Sequence, residues 1–152
     1  MVAALACLRP AAAACTHPLK QQSYSLCGTP GQGTLSYSAP PNNWQSDNAV
    51  DFCALRLNVY AVEDGVVCKA CGFGWDPAWG YRLTLNAATN QFFYTHLGYI
   101  DVKAGTYVRR GQFLGTIGDF SNGPTTNHFP PHLHFAARDG NALTYVRSCT
   151  RT

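Results

Sequence analysis

The chain has 152 residues, of which 46% are hydrophobic and only 12% charged, with a net charge of +3. That length suits one domain built on a single core, and the apolar share excludes general disorder. The charge is too small, and nowhere gathered into a basic run, to predict a nucleic-acid-binding surface; it is compatible with an anionic surface such as a bacterial cell wall.

With charged residues at about half their usual share, Ser, Thr, Asn, Gln, Tyr and Gly must cover most of the surface. Seven cysteines, at positions 7, 15, 27, 53, 68, 71 and 149, are many for this length. An oxidising compartment would pair several of them, and an odd count leaves one over in a monomer. Cys68 and Cys71 form a lone C-x-x-C with no second pair at zinc-finger spacing, so they read first as disulfide or core residues. The expected location is extracytoplasmic or virion-associated.

The opening "MVAALACLRPAAAAC" is apolar but lacks a positive leading segment and is cut by Arg9-Pro10. It is too short to span a bilayer and poor as a secretory signal. A degenerate signal and a small arm docking on a partner both remain open, with the arm favoured. Residues 1–43, rich in Ala, Ser, Gly and Pro, read as an irregular N-terminal arm, and residues 44–152 as the domain proper.

From Trp44 the texture changes. In "SDNAVDF", Asp47 and Asp51 flank the entry to the first core strand. "NVYAVEDGVVCKA", "YRLTLNA", "QFFYTHLGYIDV", "TYVRRGQFLGTIG" and "HLHFAAR" follow as short β-branched and aromatic runs separated by Gly, Asn, Asp and Pro. That spacing predicts an all-β, mainly antiparallel sheet, with turns at Glu63–Gly65 and Ala88–Asn90. No stretch keeps a helical period for three turns. Between two of the runs lies "CGFGWDPAWGY", Cys71–Tyr81, either a surface loop with a buried Trp or an aromatic groove wall.

"NHFPPHLHF" asks for a chemical explanation. Side chains alternate along a strand, so His132 and His134 share one face while Leu133 and Phe135 anchor the other in the core. Two imidazoles held on one face can divide metal binding from acid–base work. "FFYTHLGYI" repeats the pattern, with Tyr94 and His96 predicted on one face and Phe93, Thr95 and Leu97 on the other. Carboxylates with imidazoles suit zinc that keeps an open position for water. A lone strand histidine is more often a half-buried polar residue, and His17 and His128 receive that reading.

The combination, in the order Asp, Tyr-Thr-His-Leu, His-Leu-His-Phe, resembles the M23 family of zinc metallopeptidases, the lysostaphin and LytM type of cell-wall endopeptidases, in the version of its phage and actinobacterial members. "AVEDGVV" and "VKAGTYVRRGQFLGTIG" are similar to further family segments, and the likeness runs from about Trp44 to Arg138. It implies a largely antiparallel sheet crossed by a groove, a bound zinc ion and hydrolysis of peptide bonds in peptidoglycan. Carried over by position, Asp51 and His134 match metal ligands, and His96 and His132 match the catalytic histidines. The family has His where this chain has Asp47, so Asp47 is either a substitute ligand or the mark of a metal-poor module. Tyr94, Trp75 and Trp79 are the expected substrate contacts. Expected partners are peptidoglycan and, as a second class, other subunits of a phage tail or cell-envelope assembly, with neither nucleic acid nor a membrane span. The competing reading is a non-catalytic module that grips cell wall or builds a particle.

Overall fold

The computed structural model describes residues 14–29, 43–77, 79–119 and 129–152. Along the chain run β1 (Ser25–Gly28), α1 (Trp44–Asp47), β2 (Ala49–Cys53), β3 (Asn58–Tyr60), β4 (Gly65–Val67), β5 (Gly74–Asp76), β6 (Gly80–Ala87), β7 (Gln91–Ile100), β8 (Tyr107–Val108), β9 (Phe113–Ile117), β10 (His132–Ala137) and α2 (Ala142–Ser148). The ten strands form one sheet in the order β1-β2-β10-β7-β6-β4-β8, with β9 joined to β7 and β3, and β5 to β6. Every ladder between these strands is antiparallel, as the short aromatic and β-branched runs predict.

Alternation along β10 sorts its side chains cleanly. Leu133, Phe135 and Ala137 enter the main core with Phe52, Leu83, Leu85 and Phe92, while Ala136 joins a second cluster with Ala49 and Phe93. β10 is buried along its whole length, because β2 and β7 flank its edges and side chains cover both faces. Burial of this kind is worth about 2 kcal/mol for each large apolar side chain removed from water.

β7 is the longest strand and changes partner partway. Phe92–Thr95 pair with Ala137–His134 of β10, and Leu97–Ile100 pair with Ile117–Gly115 of β9. His96 lies between the two ladders and adopts a positive φ of 63°. Just beyond it Gly98 meets Gly118 so closely that a Cβ on Gly98 would lie 2.8 Å from the Gly118 Cα. Neither position has room for a side chain, so the crossing requires glycine on both sides.

The predicted N-terminal arm differs from expectation. Residues 1–13 and 30–42 lie outside the described residues, but the segment between them is part of the sheet. β1 pairs with β2, Cys27 is bridged to Cys53, and Cys15 to Cys149. Leu26 and the half-buried Cys27 carry too short a pattern to be read as a strand without the β2 edge that receives them. Cys68 and Cys71 are also bridged. His17, expected to be half-buried, is buried outright: it accepts from the Leu19 N–H at Nδ1, and its Nε2 donates to the Tyr24 hydroxyl. His128 lies outside the described residues.

Two outcomes follow from this packing. Burial, helped by the nearby Arg151 charge, lowers the His17 pKa from 6.5 to about 4. The unfolded chain therefore binds a proton that the folded chain refuses, and stability should be lost as pH falls from about 6.5 to 4. His17→Asn keeps the acceptor for Leu19 and should flatten that part of a plot of unfolding midpoint against pH; an unaltered slope would exclude His17 as its source. Cys15→Ser with Cys149→Ser opens a link spanning 134 residues and should lower unfolding stability by about 2–5 kcal/mol, read by denaturant titration.

Candidate functional site

Asp51 on β2 and His134 on β10 are direct cross-strand partners, so their side chains rise from the same face of the sheet. The His134 Nδ1 lies 2.7 Å from the Asp51 Oδ1, and both residues are fully buried. The other ring nitrogen, Nε2, lies 2.5 Å from the backbone carbonyl of Gln45 in α1. α1 is only four residues long, is capped by Asn43, whose side chain accepts from the Gln45 N–H, and rests on this face through Trp44, set edge-on to Phe93.

His132 lies on the same face, two residues before His134. Its Nδ1 donates to the Pro130 carbonyl at 2.8 Å, which leaves the lone pair on Nε2. That Nε2 is buried without a hydrogen-bond partner and sits 3.9 Å from the Asp51 Oδ1. Burial pushes the His132 imidazole below its ordinary range, against the pull of the Asp51 charge, and so favours the neutral ring. A neutral imidazole with a desolvated lone pair can accept a proton or a donor from a bound molecule.

His96 reaches the cluster by a different route. Strict alternation would send it with Tyr94 into the core; its positive φ turns it to the side of His132 and His134, at ring distances of 4.6 and 5.8 Å. The carbonyl of Trp79 fixes it there, taking the His96 backbone N–H at 2.9 Å and the ring Nδ1 at 3.0 Å. The Thr95 hydroxyl donates to the same carbonyl, and the Trp79 ring stacks on the His96 imidazole.

The structure thus brings Asp51, His96, His132, His134 and Trp79 together. Tyr94 requires correction as a substrate contact: it is fully buried on the core face, and its hydroxyl accepts from the Val62 N–H. The break at His96 separates two residues that alternation had placed side by side. Trp75 is exposed, with its ring edge-on to Tyr81; the indole against the histidines belongs to Trp79. Asp47 stands exposed as the last residue of α1 and is not drawn to Asp51 and His134. Among the described residues no three His, Cys, Asp or Glu side chains surround one point. The Asp51 carboxylate and the His134 imidazole are instead hydrogen-bonded to each other, and carboxylate and imidazole are donor types suited to zinc. The backbone carbonyls of Gln45, Trp79 and Pro130 hold the rings, and the sequence carries no signal for them because every residue has a carbonyl. Trp44 could have been suspected as an aromatic beside Asp47.

Comparison with known proteins agrees with this fold. The L-Ala–D-Glu endopeptidase of Bacillus subtilis is 36% identical over 76 residues, covering 47% of this chain and 23% of that protein. The chain therefore spans about a quarter of the length of that curated relative. The catalytic domain of the antimicrobial peptidase lysostaphin from Staphylococcus simulans superposes with a TM-score of 0.56 at 25% identity, covering 82% of this chain and 92% of that one. A zinc-containing peptidase from Vibrio cholerae superposes with a TM-score of 0.58 at 26% identity, covering 82% of this chain and 37% of that one. The profile of peptidase family M23 matches residues 45–145, which include every residue of the histidine cluster, and the chain belongs to that family.

Proposed function

We propose that this chain is a zinc-dependent endopeptidase that hydrolyses peptide bonds of bacterial peptidoglycan. The observation that carries the reading is the buried Asp51–His134 pair beside two histidines whose Nδ1 atoms are each tied to a carbonyl. Its support from relatives is the peptidase activity in their names, L-Ala–D-Glu endopeptidase and the antimicrobial peptidase lysostaphin. Three disulfides among the described residues agree with an oxidising, extracytoplasmic setting.

In this reading Asp51 and His134 hold the metal, and Asp47, four residues before Asp51, supplies the third protein donor. The helix that ends at Asp47 is a single capped turn, so a short segment separates the exposed position from the buried pair. Zinc, when bound, acidifies water and polarises the scissile carbonyl. His132 offers its Nε2 lone pair as the acceptor for the water proton, and His96, held by the Trp79 carbonyl, faces the developing oxyanion. Trp79 walls the cluster and limits bulk water around it.

The exposure of Asp47 favours a second reading: an M23 module without turnover that serves as a structural or wall-binding component, as in a phage tail or cell-envelope assembly. Metal content and dye release from purified cell walls separate the two. His134→Ala and Asp51→Ala should strip zinc in elemental analysis. His132→Ala and His96→Ala should retain it and lose about 100- to 10,000-fold in hydrolysis. Asp47→His should hold zinc at least as tightly as the natural chain. Unchanged zinc affinity in Asp47→Ala would remove Asp47 from the ligand set, and a natural chain that binds no zinc and releases no dye would establish the second reading.

A further inference from the structure

Beyond the histidines, the sheet carries a cleft that no step of the proposed hydrolysis uses. It has a volume of about 290 Å³ and lies between the start of β5–β6 and the end of β7, with Phe73, Tyr81, Tyr99, Ile100 and Val102 as its walls. No charged side chain lines it. Its tyrosines are nevertheless open to solvent: Tyr81 is 37% and Tyr99 51% exposed, and the neighbouring Trp75 is 53% exposed. Large rings left exposed on a sheet, and clustered around one concavity, are the usual makings of a ligand site rather than of a core.

We propose that this cleft is a saccharide subsite that takes one neutral pyranose ring of the peptidoglycan glycan strand. The proposal rests on the endopeptidase reading for its substrate and names which part of that substrate is gripped away from the scissile bond. An uncharged lining disfavours a phosphate or carboxylate as the recognised group. A pyranose ring has two apolar C–H faces and a rim of hydroxyls, which suits aromatic walls with phenolic edges. The rings are also held in place. The Tyr99 hydroxyl donates to the Asp101 Oδ1 at 2.6 Å, which leaves the phenol oxygen free to accept. Trp75 meets Tyr81 edge to face at 5.2 Å. Gly98 contributes no side chain to the cleft because its backbone lies against Gly118.

Position ties the cleft to the reaction. Gly98 is two residues from His96 along β7, and Tyr81 is two residues from Trp79, the ring that stacks on His96. At roughly 3.3 Å per strand residue the cleft begins about 7 Å from the histidine cluster. An extended peptide covers that distance in two or three residues. A stem peptide is joined to its sugar through its first amino acid, so a sugar in the cleft leaves the first bonds of the stem within reach of His96 and His132.

The test needs neither metal nor turnover. The purified chain is titrated with the trisaccharide of N-acetylglucosamine while tryptophan emission and amide NMR shifts are followed. The expected result is a saturable change that includes Tyr99 and Trp75, weakened at least about tenfold in Tyr99→Ala and in Tyr81→Ala and largely retained in Tyr99→Phe. Circular dichroism of each variant confirms that it folds. The absence of a saturable response in the natural chain, or natural affinity in Tyr99→Ala, overturns the subsite. So does a Tyr99→Ala variant that only turns a dimer into a monomer in sedimentation, because the patch is then a self-association face. Hydrolysis of cell walls is measured on the same preparation: sugar binding without hydrolysis counts against the endopeptidase reading alone, and hydrolysis without sugar binding counts against the subsite alone.

Discussion

The candidate site depends on one break in backbone regularity, at His96. Left-handed backbone costs a non-glycine residue about 1–2 kcal/mol, and here that cost is offset locally. The His96 N–H and ring both reach the Trp79 carbonyl, and its own carbonyl takes the Gly118 N–H at 2.9 Å. If β7 ran straight, His96 would follow Tyr94 into the apolar core and its imidazole would be buried without the Trp79 carbonyl. With the break, one strand serves β10 on one side of His96 and β9 on the other, and the imidazole turns to face His132.

The second constraint is electrostatic. Asp51, His96, His132 and His134 are all fully buried within one small cluster. Such groups are expensive to desolvate unless paired. Cross-strand register supplies the Asp51–His134 pair, and backbone carbonyls supply the rest. Carbonyl partners also select the tautomer: a proton fixed at Nδ1 leaves the lone pair of His132 on Nε2. Slipping β10 by one residue would send both of its histidines into the core and bring Leu133 beside Asp51, so the large apolar residues of the strand protect the site's chemistry as well as the fold's stability.

Around this buried centre the chain uses cross-links where it has few charges. Cys27–Cys53 holds β1 to β2, next to the strand residue that carries Asp51, while Cys15–Cys149 ties the chain before β1 to the turn after α2. The Cys68–Cys71 link closes the loop before β5, so the aromatic segment from Phe73 to Tyr81 leaves a constrained turn. Cross-linked edges of this kind form and persist in oxidising surroundings.

Much of this was legible in the residues themselves. Period-two alternation in "HLHF" gave the faces of β10, because an antiparallel ladder offers each side chain only two directions. Residue type and spacing singled out the histidines of "YTHL" and "HLHF", the resemblance to the M23 pattern added Asp51 as their companion, and the strand class came from β-branched and aromatic runs bounded by turn residues. What alternation could not supply was the place where it stops. The reversal at His96 arises from two ladders competing for β7 and from glycines that meet only in space, so Tyr94 was assigned to the wrong face. The position of Asp47 was likewise beyond sequence, because a one-turn helix is directed by what it packs against, and Trp44 docks while Asp47 does not. Residue chemistry determined which polar and ionisable groups this chain carries; long-range pairing decided which of them meet, because register and backbone breaks are settled between strands that lie far apart in the chain.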